Sequence, residues 1–270
     1  MADFPEGAPC WADAMFTDVE AAKTFYGDVL GWTFGEASSE YGNYTQAYFN
    51  GQAVAAVVPP MPGTEAPSQW CLYLASQDAD VTAEKIKAAG GELMMEPMQV
   101  GSYGTMAIAQ EPSGAVFGVW QPGEHKGFER VRDSGAYTWA EFFSREPAKT
   151  DVFLSKVFPY ESHQMVAGDD PDMAEMDFKI FSVGGPKNPV LGRMHMGEEF
   201  PPEIPSYVQI YFAVPNCDEA VEKTKARGGA LHFGPLDSPF GRFAALTDPQ
   251  GAAFAVIDLS TTVGEMPKFG

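Results

Sequence analysis

The chain has 270 residues, 45% of them hydrophobic, and a formal net charge of −20 at pH 7. Its length is sufficient for two hydrophobic cores of ordinary domain size, and its negative charge argues against anionic partners, namely nucleic acid and membrane surfaces. The sequence lacks both an apolar run of the roughly 18 residues that a membrane span requires and an N-terminal signal segment, so we expect a cytoplasmic protein.

Capping residues and glycines indicate two helices in the first half of the chain. Residues 17–20 (Thr-Asp-Val-Glu) offer an N-cap with a glutamate at the capping-box spacing, and Gly31 ends the helix. Asp78 or Asp80 is expected to cap a second helix, which ends at residues 90–91. Short runs of alternating hydrophobicity after each helix indicate strands.

The second half shows the same signals. Pro147 suits the first turn of a helix, and Asn216 is expected to cap a helix over residues 217–227. Each half is therefore predicted to contain a strand, a helix and three strands, followed by the same five elements again.

The two halves are copies of one domain. Residues 10–32 align without a gap with residues 138–160, at an offset of 128. The aligned pairs include Trp11 with Trp139 and Asp13 with Glu141. Two further blocks match in the same order, residues 73–91 with 211–229 and residues 104–120 with 241–257. Repeats of this length indicate a tandem domain duplication. We predict domain 1 at residues 1–122, a linker at 123–136 and domain 2 at 137–270.

These blocks resemble the vicinal oxygen chelate superfamily, which includes glyoxalase I, bleomycin-resistance proteins and extradiol dioxygenases. The resemblance rests on Asp18, Phe25-Tyr26 and Leu30-Gly31, and on an acid-Pro-x-Gly turn at residues 111–114 and 248–251. The resemblance occurs once in each half and together covers nearly the whole chain, and it points to tandem two-domain glyoxalase-like proteins. It implies an α+β fold of two tandem domains. Each would consist of paired βαβββ modules that form an open, eight-stranded, barrel-like sheet around a cleft, with the helices outside.

Strand alternation separates a cleft face from a packed face. On the first strand, Ala12, Ala14 and Phe16 are suited to packing under a helix, whereas the residues between them combine a ring with a carboxylate. The same reasoning applies to the fifth strand and to the second half. The candidate ligand-binding residues are Trp11, Asp13, Met15, Cys71, Tyr73, Trp139, Glu141, Phe143, Gln209 and Tyr211.

The resemblance also implies where metal-using relatives place their ligands. Those relatives have His or Gln on strand one, Glu on strand four, His on strand five and Glu on strand eight. In the two halves of this chain, the strand-one position holds Trp11 and Trp139, the strand-five position Cys71 and Gln209, and the strand-eight position Gly118 and Ala255. The fourth strands carry no acid. Only Cys71 and Gln209 could bind a metal, and they belong to different halves. We expect no metal and no other cofactor. The three cysteines have unrelated spacings, which predict neither a disulfide nor a zinc site.

Asp13 and Glu141 are the candidate catalytic residues. Burial beside rings would raise the pKa of either carboxyl group and suit it to proton transfer. Either could instead make a structural hydrogen bond, the first alternative, or anchor a cationic ligand, the second. Trp11 and Trp139 could stack on a planar or cationic ligand, or fill the core. Arg193 and Arg242 are expected to form ion pairs at the surface.

Three functions are compatible with the sequence. The first is a glyoxalase- or bleomycin-resistance-like protein that binds a small aromatic or cationic molecule in an acidic, Trp-lined cleft. The second is a metal-independent lyase, isomerase or hydroxylase-like enzyme acting on a small carbonyl or natural-product substrate. The third is a metal-dependent glyoxalase or dioxygenase, against which the missing ligands argue. The expected partner is a small-molecule ligand, and the chain is either a monomer with an internal pseudo-dimer or a homodimer.

Overall fold

The computed structural model describes residues 4–60, 67–166 and 176–270 and contains two β-sheets, one from each half of the chain. The elements of the first half are β1 (Pro9–Met15), α1 (Val19–Leu30), β2 (Thr33–Phe34), a short 3₁₀ helix (Ser39–Tyr41), β3 (Thr45–Phe49), β4 (Gln52–Val58), β5 (Gln69–Ala75), α2 (Ala79–Ala88), β6 (Glu92–Val100), β7 (Gly104–Gln110) and β8 (Val116–Pro122). The eight strands are ordered β2-β3-β4-β1-β5-β8-β7-β6.

The second half repeats this series and adds a strand. Its elements are β9 (Tyr137–Ser144), α3 (Pro147–Val157), β10 (Glu161–Val166), β11 (Phe178–Ser182), β12 (Pro189–His195), β13 (Tyr207–Ala213), α4 (Cys217–Ala226), β14 (Ala230–Leu236), β15 (Arg242–Thr247), β16 (Ala253–Asp258) and β17 (Lys268–Phe269). The strands are ordered β14-β15-β16-β13-β9-β12-β11-β10-β17. The predicted α+β fold of tandem βαβββ modules is confirmed. The ninth strand was not predicted, and it extends the edge formed by β10.

Local signals in the sequence set the helix ends. Asp18 is the N-cap of α1 and accepts a hydrogen bond from the backbone N–H of Ala21. The expected capping-box spacing over residues 17–20 is therefore not used, and Glu20 accepts a hydrogen bond from Lys23 instead. Gly31 ends the helix in the left-handed conformation, with φ of 75°, which glycine adopts without strain. Asp78, rather than Asp80, caps α2, and Asn216 caps α4. None of the helices in the described residues is long and apolar enough to cross a bilayer.

The strand register produces the predicted alternation of faces. β1 pairs with β5 so that Trp11 lies opposite Tyr73 and Asp13 opposite Cys71. β9 pairs with β13 in the same way, with Trp139 opposite Tyr211 and Glu141 opposite Gln209. The intervening residues Ala12, Ala14 and Phe16 are fully buried, as expected for the face that packs under the helices.

One hydrophobic core is shared by both halves. The rings of Trp32 and Trp70 lie against Phe212, with centroids 5.2 and 5.1 Å apart. On the opposite side of the interface, Phe117 contacts Phe142 at 5.8 Å. Helix α1 also packs against α4, and α2 against α3. The two halves therefore form one packed unit.

Two equivalent turns carry a carboxyl group across this interface. Glu111, after β7, accepts a hydrogen bond from Thr150 Oγ1 on α3 at 2.9 Å. Asp248, after β15, accepts one from the Tyr26 hydroxyl on α1 at 3.0 Å. Each carboxyl group also accepts backbone N–H groups of its own turn. Each half thus supplies a hydrogen-bond acceptor to a helix of the other.

The expectation of a surface ion pair for Arg193 is wrong. Its side chain is 2% exposed and contacts Asp151 at 3.0 Å and Asp177 at 2.8 Å. A buried guanidinium is tolerated because two carboxylates replace the water that it has lost. Arg242 remains partly exposed and pairs with Asp218, as expected.

Candidate functional site

A continuous cavity runs along the concave sides of both sheets, and all ten candidate ligand-binding residues line it. Its volume of about 3520 Å³ exceeds the roughly 300–1,000 Å³ of a single small-molecule site. We therefore describe two parts. The first cleft is the part around Trp11, Asp13 and Tyr73, and the second cleft is the part around Trp139, Glu141 and Tyr211.

Asp13 lies at the floor of the first cleft in a chain of hydrogen bonds. The Trp11 indole N–H donates to the Tyr44 hydroxyl at 2.6 Å, and that hydroxyl donates to Asp13 Oδ2 at 3.1 Å. Burial raises the pKa of Asp13 to about 7, and hydrogen bonding from Tyr44 and Tyr73 only partly offsets this effect. Asp13 as a whole residue is nevertheless half-buried, and it lines the cavity. The first cleft therefore offers a carboxyl group that changes charge near neutral pH.

The groups that face Asp13 stay uncharged at neutral pH. Burial raises the pKa of Tyr44, Tyr73 and Cys71 well above the usual values, and the negative charge of Asp13 adds to the effect. The two tyrosines are therefore hydrogen-bond donors, and Cys71 is a thiol rather than a nucleophilic thiolate. Within this group, Asp13 is the one that carries the charge.

Glu141 occupies the matching position in the second cleft but has different partners. The Trp139 indole N–H donates directly to Glu141 Oε1 at 3.0 Å, and the Tyr211 hydroxyl donates to Oε2 at 2.9 Å. Glu141 is 9% exposed, and burial raises its pKa to about 7. Both of its oxygens therefore already accept a hydrogen bond from the protein.

One residue of β11 contributes to the difference between the clefts, together with the longer side chain of Glu141. In the first sheet, Asp13 pairs with Ala56, which pairs with Gln46; in the second sheet, Glu141 pairs with Gly192, which pairs with Ile180. Gln46 and Ile180 are therefore equivalent positions, and so are Tyr44 and Phe178, two residues earlier in each strand. A phenylalanine thus replaces the tyrosine that donates a hydrogen bond to Asp13. A Cβ atom on Gly192 would lie 2.8 Å from the Phe178 ring and 3.0 Å from Glu141 Cγ. This glycine therefore allows the ring to pack close to the acid.

Tyr44 and His125 were missed as site residues. The alternating run at residues 44–50 carries a signal for Tyr44, because it places Tyr44, Gln46 and Tyr48 on one face, and all three line the cavity. His125 lies in the predicted linker, where no periodicity applies. Its ring packs edge-on against Trp11, with centroids 4.3 Å apart, and burial lowers its pKa to about 4. His125 is therefore neutral at physiological pH.

The other candidate ligand-binding residues differ in how far they are exposed to the cavity. Trp11 is 3% exposed because His125 and Phe128 cover it, so only a small part of its ring borders the cavity. Trp139 is more exposed than Trp11. Met15 and Phe143 take equivalent positions on β1 and β9, and the Gln209 amide donates to the carbonyl oxygen of Ile210 at 3.3 Å.

The positions that hold a metal in related proteins do not fit one here. Trp11 and Trp139 use their indole nitrogens as hydrogen-bond donors, and an indole N–H has no lone pair for a metal. A side chain at Gly118 would overlap the Tyr73 ring, which fills the space of the last ligand. Across the residues that the structure describes, no three His, Cys, Asp or Glu side chains are grouped to bind an ion.

Comparison with known sequences identifies relatives that span nearly the whole chain. Residues 11–119 match the family model of the Glyoxalase/Bleomycin resistance protein/Dioxygenase superfamily. A Mycobacterium bovis protein with the provisional name glyoxylase CFP32 is 34% identical over 262 residues, which cover 94% of this chain and 96% of that protein. The anthracycline biosynthesis protein DnrV of Streptomyces peucetius is 33% identical over 273 residues, which cover 96% of each.

Solved structures share the fold at low sequence identity. The Mn(II)-bound glyoxalase from Novosphingobium aromaticivorans has a TM-score of 0.60 at 16% identity, covering 96% of this chain and 86% of that one. The 2,3-dioxygenase LapB from Pseudomonas sp. KL28 has a TM-score of 0.63 at 12% identity, covering 97% and 94%. The relatives that match along nearly the full length, the family model and the fold agree, and the chain belongs to the glyoxalase, bleomycin resistance protein and dioxygenase superfamily.

Proposed function

We propose that the protein binds a small aromatic or cationic molecule in its acidic, aromatic-lined clefts, with Asp13 as the anchor for positive charge. The observation that carries this proposal is the position of Asp13, a half-buried residue that lines the first cleft while uncharged hydroxyl and thiol groups surround its carboxyl group. A bound cation favours the ionised carboxylate and lowers its pKa. The charge of the ligand therefore replaces the water that Asp13 has lost.

The walls of the first cleft suit an aromatic ligand. The cavity is lined there by the methionines Met15, Met95, Met98 and Met106 and by tyrosine rings. Methionine sulfur makes favourable contacts with aromatic rings and adapts to ligands of different shape. The relatives named for anthracycline biosynthesis support this ligand class, because anthracyclines are fused-ring aromatic compounds.

Proflavine, a planar aromatic cation, tests this proposal. We expect Asp13→Asn to weaken proflavine binding by at least about tenfold, because a charge-assisted hydrogen bond contributes about 1.5–3 kcal/mol. Glu92→Gln is the matched control, since it removes the same charge from an exposed position on β6 outside the cavity. Equal affinities for both variants and the unmodified protein, measured by titration calorimetry, would exclude Asp13 as the anchor.

The affinity for proflavine should also depend on pH. Asp13 ionises as the pH rises through about 7, so binding of proflavine, whose ring stays protonated in this range, should strengthen between pH 6 and 8. The Asp13→Asn protein should show no such trend. A pH dependence that persists in this variant would assign the titration to another group.

A second function, metal-independent proton transfer, is favoured by the pKa of about 7 for both Asp13 and Glu141. A general acid or base works best when its pKa is close to the working pH. The readout is exchange of hydrogen for deuterium next to the carbonyl of 2-tetralone, a small aromatic ketone. Exchange that Asp13→Asn abolishes would support catalysis, whereas binding of 2-tetralone without exchange would leave the protein as a binder.

A further inference from the structure

Equivalent positions in the two clefts carry different kinds of side chain. By the alignment of the halves, Met15 corresponds to Phe143, and Met106 corresponds to Phe243. The strand register adds the replacement of Tyr44 by Phe178. Each exchange puts a rigid apolar ring in the second cleft where the first has a flexible or a polar side chain.

Rings pack in two groups along the second cleft, one of which extends from the exposed Phe233 to the buried Tyr211. On one side, Phe233 packs against Phe243 at 6.0 Å, and Phe243 packs against Tyr211 at 6.3 Å. On the other side, Phe143 is stacked on Tyr207, with centroids 5.0 Å apart and planes 11° apart. These centroid separations lie within the range of favourable aromatic pairs, so the walls present packed rings to the cavity.

The mouth of the second cleft is apolar as well. Of the large hydrophobic side chains that are exposed in the described part of the chain, nine from the second half line the cavity, but only Met98 and Tyr103 do so from the first half. Exposed apolar surface of this kind, when grouped around a concave site, indicates ligand binding. The C-terminal segment contributes to this mouth, because β17 pairs with β10 and brings Met266 beside it.

The carboxyl groups of the second cleft are already engaged by partners within the protein. Both oxygens of Glu141 accept hydrogen bonds, from Trp139 and Tyr211. The carboxylates of Asp177 and Asp237 are paired with arginines. The other charged groups that line this part of the cavity lie on exposed residues at its rim, namely Arg132, Glu199, Glu265 and Lys268.

We propose that the second cleft is a separate binding site for an uncharged aromatic molecule, whereas the first cleft is the site for a cation. This division of ligand classes rests on the proposed function, that the clefts bind small molecules. A charged ligand would lose hydration against these apolar rings, and the carboxyl groups that it would meet there already have partners in the protein.

Two dyes test the proposal, neutral N-phenyl-1-naphthylamine and cationic proflavine. We expect the neutral dye to bind the unmodified protein without being displaced by saturating proflavine. The variant Phe233→Glu/Phe240→Glu should weaken binding of the neutral dye by at least about tenfold, since it removes two rings from the mouth of the second cleft and replaces them with carboxylates that an apolar ligand would partly desolvate. Both side chains are exposed, 53% and 43%, so the fold should be retained.

The matched control is Met98→Glu/Tyr103→Glu, which changes side chains of similar exposure, 48% and 42%, at the first cleft. This variant should leave affinity for the neutral dye within about twofold. Mutual displacement of the dyes, no binding of the neutral dye, or loss of its binding in the control variant would overturn the division between the clefts. If proflavine still required Asp13 in those cases, the proposed function would stand. If neither dye bound, both proposals would fail.

Discussion

Replacing Glu141 by glutamine should stabilise the protein above neutral pH. Burial raises the pKa of Glu141 from 4.5 to about 7, so the folded protein keeps this group protonated after the unfolded chain has ionised it. Its contribution to stability is full below pH 4.5 and is lost as the pH rises to about 7. At about 1.4 kcal/mol per pKa unit, the loss above pH 7 is up to about 3 kcal/mol.

Glutamine copies the protonated acid, because it accepts one hydrogen bond and donates another without ionising. We expect Glu141→Gln to raise the free energy of unfolding by up to about 3 kcal/mol at pH 8 and to change it little at pH 4. Urea unfolding at both pH values measures the difference. Glu92→Gln, on the exposed face of β6, is the control, since a water-exposed carboxyl group has no burial penalty. An equal effect of Glu141→Gln at both pH values, or a loss of stability at pH 8, would refute this reasoning.

Three further substitutions have expected outcomes. Tyr44→Phe removes a hydrogen-bond donor to the ionised Asp13, so the pKa of Asp13 should rise above about 7. NMR titration of the Asp13 carboxyl carbon measures this pKa, and an unchanged value would exclude the hydrogen bond in solution. Gly118→Ala forces a methyl group into the Tyr73 ring and should destabilise the fold by about 1–3 kcal/mol in urea, whereas an unchanged midpoint would show that the ring can move. Phe212→Ala removes a fully buried ring and should lower the free energy of unfolding by about 3–5 kcal/mol, and a loss below about 1 kcal/mol would show that the core collapses around it.

The sequence was sufficient to predict which faces of the strands line the clefts. Alternation has a period of two, so once Ala12, Ala14 and Phe16 are assigned to the packed face, Trp11 and Asp13 must point the other way. The helix ends were also predictable, because capping by Asp18 and Gly31 depends on residues adjacent in the chain. The ligand-binding role of the cleft residues stays a prediction.

Features that depend on distant contacts could not be predicted. Arg193 is buried because Asp151 and Asp177 meet it from separate segments, and its own neighbours in sequence do not reveal this. The contact of His125 with Trp11 joins residues that are far apart in the chain. Strand β17 is only two residues long, too short for any periodicity. Alternation alone also could not show that Phe178 replaces Tyr44, since that match requires the strand register.

Glu111 and Asp248 each hold a helix that belongs to the opposite half. In an assembly of two identical chains, every substitution would appear on both sides of such an interface at once. Here the partners of the two carboxyl groups already differ, a threonine on one side and a tyrosine on the other. Covalent linkage therefore lets natural selection alter one half while its counterpart preserves the earlier chemistry.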